Sequence, residues 1–277
     1  MTTEDLEPGP AALRPQTLML TFLGNYVLGR DVCVFSGSYL DVMDRVGVSG
    51  HATRSTLTRM VSRGLLRRQK QGRKMFFGLT EHSTEILKDG EARVWGTGPV
   101  NLDSDGEWTL VGFSLPEEWR RSRHDLRSRL TWSGFGMIHN GLWIAPSRVD
   151  VSVVLSELGL EDHVKVFTAK LAHPAEIGPM LREAYDLDAL AERYGTFLRR
   201  WDRPDPLPGH RDPLARQLFL LSEWLETIRH DPRLPLGDLP ANWPAPRAHD
   251  VLLERHTEVE EPARQIAEKI LETVPAE

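Results

Sequence analysis

The chain of 277 residues has a single cysteine, Cys33. An intrachain disulfide is therefore impossible, and so is a zinc site built from several cysteines of one chain; a lone cysteine reads as a small buried apolar residue. Long apolar runs are missing as well. The longest candidate, Leu18 to Leu28, is interrupted by Thr21, Gly24 and Asn25, whereas a membrane span needs roughly 18 uninterrupted apolar residues. The opening MTTEDLEPGP lacks the basic flank and apolar stretch of a secretory signal, so a cytoplasmic location is expected. Catalytic signatures are equally scarce. Gly96-Thr97-Gly98 runs into Pro99 with no Lys-Ser/Thr pair behind it, which is too little for a phosphate cradle. No Gly-x-Ser-x-Gly elbow and no His-Glu-x-x-His occurs. His124-Asp125 and His230-Asp231 are scattered pairs, the second lying just before Pro232 at an expected helix end. Catalytic residues, metal ligands and a cofactor are accordingly not expected.

What the chain does have, concentrated in one place, is positive charge. Its net charge is −6, yet Val46 to Thr80 contains no Asp or Glu and carries Arg54, Arg59, Arg63, Arg67, Arg68, Lys70, Arg73 and Lys74, leaving −14 for everything outside that window. Such segregation is the footprint of a DNA-binding module on an acidic, self-repelling body.

The pattern of the first hundred residues fits that reading. Residues 1–14 are rich in Pro, Gly and acid and are expected to be a disordered tail. Met19, Phe22, Leu23 and Tyr26 recur at helical spacing, with Gly29 suited to end the helix. Tyr39, Val42, Met43 and Val46 mark a second helix, capped by Ser36 or Ser38 and stopped by Gly47. Ser49 then caps a third, from about Gly50 to Arg63. Projected at 100° per residue, this helix turns Thr53, Leu57, Met60 and Val61 inward. His51, Arg54, Ser55, Thr58, Arg59 and Arg63 fall outward or on the flanks, a set of short hydroxyls and forked guanidiniums suited to base edges and phosphates. It also lacks the acidic first turn that an ordinary surface helix favours. After Gly64, two short strands flank a basic turn, with Arg67, Arg68, Lys70, Arg73 and Lys74 placed to lie on a phosphate backbone. Helix, helix, recognition helix and basic wing make an expected winged helix-turn-helix over residues 15–95.

Beyond Gly96–Pro99, Trp108 to Leu115 reads as a strand and Pro116-Glu117-Glu118 as the acidic start of a helix containing Leu126 and Leu130. Phe135 to His139 and Leu142 to Ala145 form a hairpin about Asn140-Gly141. Val151 to Leu158 is a helix and Val164 to Ala169 a strand. The order β-α-β-β-α-β predicts a ferredoxin-like middle domain over 105–172. Helices dominate 173–277, at Ala175–Arg200 with a break near Tyr185-Asp186, at Pro213–Arg229 and near Asp250–Thr273. The expected fold class is thus α+β, with a helical C-terminal domain.

Several separated segments resemble the PaaX family of transcriptional repressors. They are Thr53-Arg54-Ser55-Thr56-Leu57-Thr58-Arg59-Met60 with Arg63-Gly64-Leu65-Leu66, the wing Gly72 to Thr80, Gly134-Phe135-Gly136 with Gly141-Leu142-Trp143-Ile144-Ala145-Pro146, and Asp231-Pro232-Arg233-Leu234-Pro235 followed by Leu239-Pro240-Ala241-Asn242-Trp243-Pro244. The chain departs from the family at Met75-Phe76-Phe77-Gly78, where tyrosines and an arginine are frequent. The resemblance implies a homodimer on a double-stranded DNA operator, repression of phenylacetate-type aromatic-acid catabolism, and release by an acyl-CoA effector such as an aryl-CoA thioester. Arg200 and Trp201 are the candidate effector residues, one to pair phosphates and the other to stack a ring. The alternative function is a metal-dependent nuclease, because the middle topology is similar to CRISPR-associated ferredoxin-fold nucleases. Those enzymes hold a metal with a carboxylate at the end of the first strand, where this chain has Phe113-Ser114-Leu115-Pro116.

Overall fold

A computed structural model describes residues 13–96, 98, 101, 105–172, 177–229 and 231–276. The expected tail, 1–14, lies outside these residues except for Leu13 and Arg14. The chain forms two compact units. One comprises the described parts of Met1–Thr97, Phe197–Glu226 and Asp250–Glu277, the other those of Gly98–Thr196 and Thr227–His249. The described parts of 173–277 contribute to both units.

In the first unit the order is α1 (Pro15–Tyr26), β1 (Val32–Phe35), α2 (Ser36–Arg45), α3 (Gly50–Ser62), β2 (Leu66–Gln71), β3 (Lys74–Leu79) and α4 (Glu81–Glu91). Turn chemistry sets these boundaries. Gly47 adopts φ +76° just after α2, where its amide bonds Asp44 O and that of Val48 bonds Met43 O, a left-handed helix stop that only glycine enters without strain. Ser49 caps α3 by accepting from Ala52 N at 3.3 Å. The expected cap of α2 is different: Phe35 occupies that position with no side-chain cap bond, and Ser38 Oγ donates instead to Ile270 O at 2.7 Å. The core gathers Phe22, Tyr39, Leu57, Met60 and Phe77. Tyr39 sets its ring edge-on to both Phe22 and Phe77 and donates to Phe77 O at 3.2 Å, so its buried hydroxyl is satisfied.

Two strands absent from the sequence reading complete this unit. The sheet order is β2-β3-β1-β8, where β8 is Thr273–Pro275 at the far end of the chain. It pairs antiparallel with β1, Cys33 opposite Val274. Helices α9 (Pro213–Ile228) and α10 (Ala245–Ile270) also send their unit-one residues to the N-terminal helices. Thr21 Oγ1 lies 2.8 Å from Ser222 Oγ, Tyr26 OH donates to Gln217 Oε1, and Arg45 pairs with Asp212.

The second unit is built on β4 (Trp108–Phe113), α5 (Arg120–Trp132), β5 (Gly136–His139), β6 (Leu142–Pro146), α6 (Ser152–Leu158) and β7 (Val164–Ala169). Its sheet is antiparallel throughout, in the order β5-β6-β4-β7. Alternation splits the strand residues between two cores. Val111, Trp143, Ala145 and Val164 pack with Leu126, Leu130 and Leu155 of the two helices. Trp108 and Ile144 pack with Leu181 of α7 (Ile177–Ala184), Tyr185, and Leu190 of α8 (Leu187–Trp201). The helical stretch breaks at Tyr185-Asp186 because Tyr185 turns inward, donating to Ile144 O at 2.7 Å and Gly134 O at 3.1 Å. One expectation is corrected here: Glu117 and Glu118 form a turn ahead of α5, whose first helical turn contains no acid.

Candidate nucleic-acid interface

Helix α3 buries Thr53, Thr56, Leu57 and Met60. Relative to the projection, Thr56 replaces Val61 on the inner stripe, a small rotation that leaves the outer face intact. His51, Arg54, Ser55, Thr58, Arg59 and Arg63 are all exposed. Their hydrogen bonds fix what this face offers. Thr58 Oγ1 donates to Arg54 O at 3.0 Å and Ser62 Oγ to Arg59 O at 2.9 Å, so both hydroxyl protons are used within the helix and the oxygens present lone pairs outward. Arg59 Nη2 rests 3.2 Å from Thr56 Oγ1, and Arg63 Nη1 3.3 Å from Gln16 Oε1. Both guanidiniums keep further N–H groups to donate.

The β2–β3 hairpin supplies a second set of cations. Its register, Gln71 opposite Lys74, leaves Gly72 and Arg73 as the turn, and Gly72 takes φ +60°, the left-handed geometry of a tight hairpin. Arg68, Lys70 and Arg73 are exposed and take part in no ion pair among the described residues. Arg67 differs. It is half-buried, with Nε donating to Leu79 O at 3.3 Å. It also crosses Gly78, where an added Cβ would meet Cys33 Sγ at 2.5 Å; the glycine in the departing wing strand thus makes room for the sulfur behind it.

Lys74 is the most altered of the expected contacts. Nζ lies 2.6 and 2.8 Å from the two oxygens of Glu272 and 4.8 Å from the centre of the Phe35 ring. The cation beside the wing tip is therefore engaged by the C-terminal strand. Nothing local in the sequence announces this partner, which lies 198 residues away.

Arg200 and Trp201 do come together, but around a protein carboxylate. Trp201 is 2% exposed, its indole N–H donates to Glu223 Oε2 at 2.8 Å, and Arg200 Nε approaches the same oxygen at 3.1 Å. Burial raises the pKa of Glu223, opposed by Arg200 and by the indole hydrogen bond. In the middle unit, β4 ends at Phe113, two residues short of the expected Leu115. No cluster of three or more His, Cys, Asp or Glu side chains able to hold a metal occurs among the described residues, and no helix among them is long and apolar enough to cross a membrane.

Comparison with known proteins accounts for both units. Residues 14–83 match the family model described as PaaX-like protein, 101–178 the PaaX protein central Cas2-like domain, and 185–269 the PaaX-like protein C-terminal domain. The Transcriptional repressor PaaX of Escherichia coli (strain K12) is 24% identical over 257 residues, which cover 88% of this chain and 79% of that protein. Among solved structures, the uncharacterized protein Rv0674 from Mycobacterium tuberculosis has the same fold, with a TM-score of 0.63, 18% identity, and coverage of 91% of this chain and 97% of that one. With three modules of one family matched in order along most of its length, the chain belongs to the PaaX family.

Proposed function

We propose that the protein is a DNA-binding transcriptional regulator whose first unit is a winged helix-turn-helix, with α3 entering the major groove and the β2–β3 wing lying on the backbone. The carrying observation is the outward face of α3, where Arg54, Ser55, Thr58 and Arg59 are exposed together within a stretch free of acid from Val46 to Thr80. Guanidiniums and hydroxyl acceptors match base edges, and Arg68, Lys70 and Arg73 match phosphates. The β-α-β-β-α-β unit is read as a ferredoxin-like module for assembly or sensing. Its first strand runs out through Ser114-Leu115-Pro116 without a carboxylate, which favours this reading over metal-dependent phosphodiester cleavage.

Two such units on a two-fold axis give the usual route to operator specificity, so the working form is a homodimer on an inverted repeat. The named relative, a repressor, supports repression as the output. An aryl-CoA or related acyl-CoA effector would release the DNA by favouring a conformation that no longer fits the half-site spacing. For Arg200 to hold a thioester's phosphates, it would have to exchange Glu223 for them.

Quantitative operator titration tests the reading. Arg59→Ala should cost about 1–3 kcal/mol on cognate duplex with little change on random duplex, whereas Arg73→Ala should weaken both and lower the salt slope by about one. Equal losses for both variants on both duplexes would refute the assignment of α3 as the reading helix. Repeating the titration with acyl-CoA thioesters, free acids and CoA alone tests the effector separately.

A further inference from the structure

The middle unit has its own concentration of cations. Between Trp119 and Ser147 there are five arginines, Arg120, Arg121, Arg123, Arg127 and Arg129, against the single acid Asp125. All five lie on α5, and they divide into two groups. Arg123 donates to the carbonyls of Leu115 at 2.6 Å and Pro116 at 3.1 Å, Arg127 to Asn140 Oδ1 at 2.7 Å, and Arg129 pairs with Glu157 at 3.0 Å. These three fasten the helix to its surroundings.

Arg120 and Arg121 do something else. Their side chains are 82% and 96% exposed, and their nearest acids, Glu117 and Asp125, stand at 4.0 and 3.9 Å, the outer limit of an ion pair. At such exposure these contacts are screened and weak. The two cations occupy the first turn of α5, where no acid balances the helix dipole and Trp119 provides no side-chain cap. Positive charge there is unfavourable for the isolated helix, so folding alone does not account for it. Leu126 and Leu130 form the buried stripe, and the opposite side exposes Arg120, Arg121, His124, Ser128 and Thr131. This is nearly the same kit of guanidinium, imidazole and hydroxyl groups as on α3. The basic residues of this helix are all arginine, whose planar fork suits phosphate oxygens better than the point charge of lysine does.

We propose that this face of α5, centred on Arg120 and Arg121, is a second phosphate-binding surface that takes the sugar–phosphate backbone of duplex DNA. The proposal rests on the DNA-binding reading of the first unit. It adds contacts that hold the duplex without reading sequence.

The test is the salt dependence of operator affinity for the full chain on a long operator fragment. Each phosphate contact contributes about 0.9 to the slope of log K against log salt. The double variant Arg120→Ala/Arg121→Ala should therefore flatten the slope by about 1.8. Between 50 and 200 mM salt the wild type should lose about 12-fold more affinity than the variant. Both residues are exposed and their charge does not favour the helix, so the midpoint of thermal unfolding should not fall. Lys165→Ala/Lys170→Ala removes the same charge from exposed positions at β7 and just beyond it, and should leave the slope as it was. The proposal is overturned if the arginine variant keeps the wild-type slope while Arg59→Ala still loses cognate binding, or if the lysine variant flattens the slope equally. A wild-type chain that binds no duplex would overturn the underlying reading, and this one with it.

Discussion

Removing residues 271–277 should destabilise the first unit, although the deleted segment lies at the opposite end of the sequence. The structure specifies what is lost. Strand β8 closes one side of β1. Besides the ladder bonds, the deletion removes Phe35 N to Glu272 O at 2.9 Å and Ala276 N to Asp31 O at 3.1 Å. It also removes Gln69 Nε2 to Pro275 O at 3.0 Å, Glu272 N to Ser38 Oγ at 3.0 Å, and the Lys74–Glu272 ion pair. At a net 0.5–1.5 kcal/mol per hydrogen bond, with the lower half apt for so exposed a segment, the four bonds outside the ladder alone amount to about 2–4 kcal/mol. The midpoint of thermal unfolding should fall by about 5–10 °C. Glu272→Gln is the control, since it keeps the backbone bonds and removes only an exposed ion pair of about 0.2–1 kcal/mol. Urea and thermal unfolding followed by circular dichroism measure both variants. If the truncated chain unfolds at the wild-type midpoint, β8 does not stabilise the sheet and the account fails.

Two other substitutions probe the long-range polar contacts of the same unit. Asp212→Ala should cost about 1–3 kcal/mol, because Oδ1 caps α9 by accepting from Ala215 N at 2.9 Å while Oδ2 pairs with Arg45; Asp212→Asn should recover the cap portion in urea unfolding, and equal losses for both would remove the cap from the explanation. His256 has its pKa lowered from 6.5 by burial, opposed by Glu260, so the unfolded chain takes up a proton that the folded one resists. Its contribution is present above about pH 6.5 and is lost as the pH falls towards the lowered folded value; His256→Gln should make unfolding less sensitive to acid over that window, and an unaltered pH profile would contradict the sign.

The parts of the fold legible in the sequence are those set by local rules. Helices α1, α2 and α3 follow apolar spacing and glycine stops, β7 follows its β-branched run, and the break at Tyr185-Asp186 shows as a lapse in helical periodicity. Strand β1, only Val32 to Phe35, is too short to display a period and depends on β3 and β8 for its existence. Helix α4 is amphipathic but buries only Ser83 and Leu87, so its pattern is faint against the basic wing before it. A proline followed by two acids is a good helix opening by local preference, yet the chain turns at Glu117 and Glu118 and hands the first turn of α5 to two arginines. Strand β8 has three residues and no preference of its own; only its partner across the sheet defines it.

The candidate interface divides along the same line. That the 46–80 window is cationic, and that Arg54, Ser55, Thr58 and Arg59 share an outward face, follows from counting charge and from 3.6-residue geometry, so the structure leaves that face in place. Whether a given cation is open to a ligand depends on its neighbours in space. Lys74 and Arg73 are adjacent in sequence, yet Lys74 is held by a carboxylate from the C-terminal strand while Arg73 is exposed and outside any ion pair among the described residues. Arg200 is likewise matched with Glu223, and Trp201 is enclosed with it. A charge already paired must give up that partner before it can serve a phosphate, which weakens its net contribution. Within the wing, the cations expected to contribute most to salt-dependent binding are therefore those whose side chains the fold leaves without an acidic partner, Arg68, Lys70 and Arg73.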